Sequence, residues 1–224
     1  MVLGGWIAPI TTWLSFGSDW QAMLDMPPGI RYFKMNEAAT LSGQFDHWSQ
    51  QRADERVALA YKTIEQHIPF QVSCIIHLEP FYRIYTPIMG SAVNPFYLAF
   101  SSIISDVAYH QRTHGIYEPI DFVFDDQVME QGKIIDAWEL LKPAVRPDTR
   151  HLIGSAPAFL DDKKFLPLQA ADLLAWWVRK MVEGGAPTPL WQPSRAIPGF
   201  QMDYNEARLL QVRDSVIQSI QNRS

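Results

Sequence analysis

The sequence predicts an α/β fold with a mostly parallel or mixed sheet flanked by helices, and two observations carry this prediction. Short apolar segments rich in β-branched residues alternate along the chain with longer segments of helical periodicity. Hydrophobic residues make up 47% of the 224 residues, which is enough for one sizeable buried core. We therefore expect a single domain over 1–224, with a loop-rich arm around 184–199, where glycine and proline are frequent.

Strands are predicted where apolar and β-branched residues run together. The first covers 2–8 and leads into a helix after Pro9, which breaks it. The second, "FQVSCIIHL", covers 70–78. The third, "IDFVFDD" at 120–126, is short and buried and ends in two acids, and 151–161 is predicted to be extended.

Helices are predicted where apolar residues recur at helical spacing between capping residues. Ser49 and Asn94 are candidate N-caps, and Pro95 suits a first helical position. Residues 30–38 are predicted to be a short extended piece that leads to a turn or helix start at Glu37. The run from 84 is predicted to be a loop before the helix that follows Asn94, because prolines and a glycine interrupt it. The helical segments are 13–25, 49–67, 94–115, 134–145, 166–178 and 203–221.

Composition excludes several classes of protein. The single cysteine, Cys74, rules out an intrachain disulfide framework and suits a reducing, cytoplasmic setting. A net charge of -5 argues against a general nucleic-acid coat protein. The uncharged runs 1–18 and 84–105 are broken by glycine and proline, so we expect no membrane span and no signal peptide. There is no glycine-rich phosphate loop and no nucleophile-elbow motif.

Acidic residues in unusual surroundings are the candidate functional groups. Asp172 is the one charge in the apolar helix segment "LPLQAADLLAWWV", on a face where Ala171 and Ala175 would let the helix approach the sheet closely. Asp125 and Asp126 follow the strand "IDFVF", and Glu37 follows an extended piece. Acids that converge from a helix, a strand end and a loop would form an oxygen-rich site, which Mg²⁺ or Mn²⁺ prefers.

Each acid also has a structural interpretation, and the sequence leaves both open. Asp125 and Asp126 suit the capping of a turn, and Glu37 suits a solvated surface. Asp172 is placed either to pair with Arg179 or to cap a neighbouring loop. Asp161 and Asp162, in "FLDDKKF", are predicted to be a charged turn.

Four segments together resemble the domain-of-unknown-function 3800 family: "VLGGWIAP" (2–9), "YFKMNEA" (32–38), "FVFDDQ" (122–127) and "FLDDKKFLPLQAADLLAWWVRK" (159–180). The resemblance implies a ribonuclease H-like mixed sheet flanked by helices and metal-dependent phosphodiester hydrolysis. It implies Glu37, Asp125 and Asp172 as metal ligands for Mg²⁺ or Mn²⁺. The resemblance also implies Gln169 and Asp126 as residues that hold those ligands in position. Nucleic acid is the substrate class that it implies.

One departure from the family leaves the function divided between two hypotheses. The family usually begins with a strand carrying Asp-Glu-Ser-Gly, whose aspartate is a central ligand, and here Met1 falls where the next strand begins. The first hypothesis is a divalent-metal nuclease or phosphodiester hydrolase. The second is a catalytically impaired binding or interaction protein on the same fold. A small-molecule α/β enzyme is a third alternative for the function. Separately, the aromatic residues that flank loops predict a homodimer.

Overall fold

The computed structural model describes residues 1–90, 93–126, 135, 138–139, 141–142, 145–185 and 197–221. In this part of the chain it is a mixed α/β protein with seven α-helices and two small sheets. The strands are β1 (Val2–Ile7), β2 (Phe70–Ile76), β3 (Val123–Asp125), β4 (Ala158–Leu160) and β5 (Gly199–Tyr204). The helices are α1 (Ile10–Asp25), α2 (Met35–Thr40), α3 (Gln50–His67), α4 (Leu78–Met89), α5 (Pro95–Thr113), α6 (Leu166–Val182) and α7 (Glu206–Gln221).

The larger sheet is mixed and has the strand order β1-β2-β5. Strand β1 pairs with β2 in antiparallel fashion, so that Leu3 faces Cys74, and β5 pairs with β2 in parallel, with Met202 opposite the same cysteine. The smaller sheet is the parallel pair β3-β4, in which Phe124 faces Phe159.

Helices α5 and α6 cover opposite faces of the larger sheet. Alternate residues of β2 point to the two sides, because side chains along a strand alternate. Cys74 packs toward α5, whereas Ile75 packs against Leu174 and Val178 of α6. A β-carbon on Gly4 would lie 3.0 Å from the backbone nitrogen of Ala175, so glycine on β1 permits the close approach of α6.

The main core lies between α1, α3 and α6. Phe16 and Trp20 of α1 are fully buried there, and the two rings lie 5.1 Å apart. Val57 and Ile64 of α3 close the same core from the other side. Several large aromatic side chains are buried in this one cluster, and the apolar area that they remove from water stabilises the contact between the three helices.

Most of the predicted elements are confirmed. The expected α/β class with a mixed sheet is present, and both predicted caps form: the Ser49 side chain accepts a hydrogen bond from the Arg52 N–H, and Asn94 accepts one from the Phe96 N–H. The close approach of α6 to the sheet also occurs, at Ala175. No helix in the described part of the chain has the length and apolar character needed to cross a membrane.

Four predictions need correction or lie outside the described residues, and one strand was not predicted. The loop expected at 84–89 is wrong, because these residues belong to α4, which contains Pro87. Strand β5 was not predicted, and α2 begins at Met35 rather than at Glu37. Residues 186–196 of the expected arm, and half of the residues of the helix expected at 134–145, lie outside the described residues.

Candidate functional site

The loop that precedes α2 is fastened to α6 by Gln169. This side chain is 1% exposed, and its Oε1 accepts hydrogen bonds from the Trp20 indole N–H at 2.9 Å and the Phe33 backbone N–H at 3.0 Å. Its amide group donates to the backbone oxygen of Lys163 at 3.4 Å. We call these contacts the Gln169 bracket. The amide is thus a buried polar group that joins α1, the loop and the turn before α6.

Asp172, one helical turn further along α6, fastens the next part of the same loop. Its Oδ2 accepts a hydrogen bond from the backbone N–H of Met35 at 2.9 Å. Met35 is the first residue of α2, and Lys34 at the N-cap position provides no side-chain cap. Asp172 therefore caps α2 from another helix, which is the loop-capping interpretation that the sequence left open.

Burial raises the pKa of the Asp172 carboxyl above its usual range. The Met35 N–H and the positive charges of Lys34 and Arg179 act in the opposite direction, and the negative charge of Asp162 reinforces the rise. The net effect is that the fold favours the protonated form of Asp172 more than water does. The pKa of Asp172 therefore depends in part on the charge of a second acid, Asp162.

The Lys34 ammonium pairs with one acid and is influenced by the charges of two others. Its Nζ is 2.9 Å from Asp162 Oδ2, and the side chain of Asp162 is only 5% exposed. Burial alone lowers the pKa of Lys34, but the hydrogen bond to Asp162 and the charges of Asp162, Asp172 and Asp125 outweigh it, so that the pKa is raised. We call Asp125, Asp162 and Asp172, together with Lys34, the acid cluster.

Neither Lys34 nor Asp162 was predicted to belong to a site. The sequence places Asp162 in a charged turn, and the turn is confirmed, but the residue is 4% exposed. Its Oδ1 is buried without a hydrogen-bond partner, although Oδ2 pairs with Lys34. A neighbouring acid, Asp161, takes the surface role expected of both, since it accepts a hydrogen bond from the Lys163 N–H and contacts Lys164.

Asp125 and Asp126 have different positions although they are adjacent. Asp125 is the last residue of β3 and its charge acts on Lys34, which places it in the acid cluster. Asp126 is exposed, and its backbone N–H continues the pairing with β4 by donating to the Leu160 oxygen at 2.9 Å. Of this pair, therefore, Asp125 joins the acid cluster while the Asp126 backbone extends the sheet.

Glu37 is engaged in a loop of its own. Its Oε2 accepts a hydrogen bond from the Gln44 backbone N–H at 2.8 Å, and its Oε1 accepts one from the Tyr32 hydroxyl at 3.2 Å. Gly43, with φ of 56°, passes so close to this carboxylate that a β-carbon there would collide with it. Glu37 thus holds the turn after α2, and its predicted role as a metal ligand stays a prediction.

The acid cluster suits a divalent ion in its chemistry but not in its arrangement. Three carboxylates are the donors that Mg²⁺ and Mn²⁺ prefer. In the described part of the chain, however, no group of three or more acids, histidines or cysteines is arranged to hold a metal ion. A lysine ammonium stands among the acids, and Asp172 and Glu37 bind backbone N–H groups.

Comparison with known proteins adds no relative from which a role could be transferred. No family model matches the chain, and neither a curated protein nor a solved structure matches it. The interpretation of the site therefore depends on its own contacts.

Proposed function

We propose that this chain is a non-hydrolytic binding protein on a ribonuclease H-like scaffold, and that its acid cluster positions the loop before α2 instead of holding metal ions. The family resemblance and the mixed α/β architecture support the scaffold. One observation carries the functional part: Lys34 Nζ lies 2.9 Å from the buried Asp162 carboxylate, in the field of Asp125 and Asp172. A protein cation here neutralises acids that a hydrolase would use to hold metal ions.

A protein partner fits the described surface better than nucleic acid does. Three basic side chains of α6 and its preceding turn are already paired: Lys164 with Asp161 at 3.2 Å, and Arg179 and Lys180 with Glu183 at 3.9 and 3.0 Å. On α1, in contrast, Ile10 is 74% exposed and Leu14, one helical turn away, is 71% exposed. Adjacent exposed apolar side chains are typical of protein contact surfaces, including those between two copies of one chain.

The decisive test of the proposal is calorimetric titration of Mg²⁺ and Mn²⁺ into the chain and into Asp172→Asn. We expect saturable binding to neither protein, and no cleavage of labelled single- or double-stranded DNA or RNA by either. Metal binding by the parent that is lost in Asp172→Asn, together with metal-dependent cleavage, would overturn the proposal.

The protein-partner part has its own test in self-association. Sedimentation velocity of the parent at increasing concentration should show a dimer that Leu14→Glu removes. Ile88→Glu is the matched control, because Ile88 is an apolar residue that is 56% exposed on a different helix, α4. A parent that stays monomeric at all concentrations would rule out the homodimer, and pairing that survives Leu14→Glu would move the contact away from α1.

A second candidate function is a divalent-metal nuclease or phosphodiester hydrolase, as the resemblance implies. Asp162 Oδ1, a buried carboxylate oxygen without a partner in the acid cluster, is the observation that favours it. The same titration and cleavage assays separate the two functions.

A further inference from the structure

We propose that the open edge of β5 binds an extended peptide as an added strand, and that a lysine or arginine side chain of this peptide enters the adjoining cavity and pairs with Asp106. The inference deepens the proposed binding function, on which it rests, by naming a class of partner. The surface concerned is formed by β5, α5 and α7, and it includes neither α1 nor the acid cluster.

The first support is that β5 is an end strand of the larger sheet in the described part of the chain. It pairs with β2 on one side only. The Pro198 oxygen accepts a hydrogen bond from the Gln71 N–H of β2 at 2.9 Å. In a parallel pair, every second residue points both of its backbone groups to the partner strand. The backbone groups of Gln201 and Asp203 therefore point to the open edge, where an end strand can pair with another chain.

The second support is a cavity of about 250 Å³ beside this edge. One water molecule needs only about 10–15 Å³, so the cavity has room for a long side chain. When a peptide is added to a sheet edge, its backbone supplies affinity, and pockets beside the edge select its side chains. The cavity is lined by Asp106 of α5, by Gln201, Met202, Asp203 and Tyr204 of β5, and by Arg208 of α7.

The third support is the state of Asp106, which is partly buried and receives no hydrogen bond from the described residues. Burial raises the pKa of its carboxyl, and the charges of His110 and Arg208 lower that pKa without outweighing burial. The guanidinium of Arg208 donates to Gln211 Oε1 at 3.3 Å. A cationic side chain inside the cavity would supply the donor that Asp106 lacks and would stabilise its charge.

The charges around the cavity favour a basic side chain over an acidic one. Two acids and one arginine line it. Of the two acids, Asp203 already contacts His77 Nε2 at 2.9 Å, which leaves Asp106 for the peptide. The whole chain carries a net charge of -5, so its field attracts a basic peptide and repels an acidic one.

The binding test uses a fluorescein-labelled peptide, Thr-Val-Thr-Lys-Thr-Val-Thr, and its counterpart with Glu in place of Lys. Fluorescence anisotropy should show saturable binding of the Lys peptide to the parent, at least about tenfold tighter than that of the Glu peptide. Asp106→Asn should remove this preference. Asp214→Asn is the matched control and should bind as the parent does, because Asp214 is an exposed acid of α7 that does not line the cavity.

Hydrogen exchange tests the added strand independently of the charge. With the Lys peptide bound, the amide protons of Gln201 and Asp203 should exchange at least about tenfold more slowly, because they gain acceptors. The amide proton of Met202, which faces β2, should change little. Gln201→Pro removes one outward donor but no hydrogen bond to β2, so it should weaken peptide binding while the fold persists.

Four outcomes would overturn the inference. The first is no saturable binding of the Lys peptide by the parent at up to about 1 mM. The second is a preference for Lys that persists in Asp106→Asn, and the third is binding without protection of Gln201 and Asp203. The fourth is a dimer of the parent that Gln201→Pro removes, because a second copy would then occupy the edge. None of these outcomes changes the metal titration and cleavage assays that decide the proposed function, and metal-dependent cleavage would reject that function without altering the peptide titration.

Discussion

The loop before α2 is attached to α6 at two places one helical turn apart, and the two attachments use opposite chemistry. The Gln169 bracket is neutral, and its side-chain oxygen accepts two buried N–H groups while its amide group donates to a backbone oxygen. The acid cluster uses charges: Asp172 accepts the Met35 N–H, and Asp162 pairs with Lys34. One carboxylate oxygen, Asp162 Oδ1, remains without a partner there.

The difference shows which attachment stabilises the loop and which one makes it sensitive to its surroundings. A buried neutral network with matched donors and acceptors contributes to stability and changes little with pH or salt. A buried group of charges gains attraction but loses hydration, so its net contribution is small and depends on the ionic state of each member. We therefore expect the contribution of the Gln169 bracket to stability to change mainly when its amide is removed. The contribution of the acid cluster should instead change with charge, pH and cations.

The largest effect is expected from Gln169→Leu. The substitution keeps a similar volume but leaves the N–H groups of Trp20 and Phe33 buried without an acceptor, at about 1–3 kcal/mol each. We expect the free energy of unfolding in urea to fall by about 4 kcal/mol. Gln21→Leu, on the exposed side of α1, is the control and should change it by less than about 0.5 kcal/mol. A loss below about 1 kcal/mol for Gln169→Leu, the value of one ordinary hydrogen bond, would contradict the role of the bracket.

The next effect is the coupling between Lys34 and Asp162. A double-mutant cycle with Lys34→Met and Asp162→Asn should give a coupling energy of about 2 kcal/mol in urea unfolding, because Asp162 is buried. The same cycle on Lys164 and Asp161 should give less than about 0.5 kcal/mol, because Lys164 is 84% exposed. Equal coupling energies in the two cycles would mean that the Lys34–Asp162 pair contributes no more to stability than an exposed surface ion pair does.

These two attachments also show what the sequence reveals and what it does not. The lone charge in an apolar helix marks Asp172 as unusual, because local sequence is sufficient to recognise a buried acid. The partners of Asp172 cannot be found in this way. Lys34 and Asp162 lie far apart in the chain, and their pairing arises only when the loop packs on α6.

The fold shows the same division between local and distant causes. The starts of α3 and α5 are predictable because their capping residues are adjacent to them in sequence. Helix α4 was missed because Pro87 and Gly90 suggest a break, although the apolar Phe81 and Ile84 bury one side of it. Strand β5 was missed because it depends on pairing with β2, which a window of sequence does not contain.

A smaller effect should appear in the pH dependence of stability. Burial raises the pKa of Asp172 in the folded protein, so the unfolded chain releases this proton at lower pH than the folded chain does. Between the unfolded and folded pKa values the folded state binds more protons, and its stability therefore falls as the pH rises. Asn at this position still offers an oxygen to the Met35 N–H but has no charge to bury.

Unfolding of the parent and of Asp172→Asn across the acidic pH range would measure this effect. We expect the stability of the parent, relative to that of Asp172→Asn, to decline through that window and then to stay level at higher pH. A difference that is independent of pH, or that changes in the opposite direction, would show that Lys34 and the Met35 N–H outweigh burial at Asp172.

The smallest effect is expected at Glu37, and it separates the loop role from a metal role. Glu37→Gln keeps an oxygen for the Gln44 N–H and a polar group beside the Tyr32 hydroxyl, so the free energy of unfolding should fall by less than about 1 kcal/mol. Glu37→Ala removes both acceptors and should cost about twice as much. If Glu37 acts only through its loop, Glu37→Gln should leave the calorimetric Mn²⁺ titration of the parent unchanged. A Mn²⁺ signal in the parent that Glu37→Gln removes would instead make Glu37 a metal ligand, and the 2.8 Å contact with Gln44 would then have to open when the ion enters.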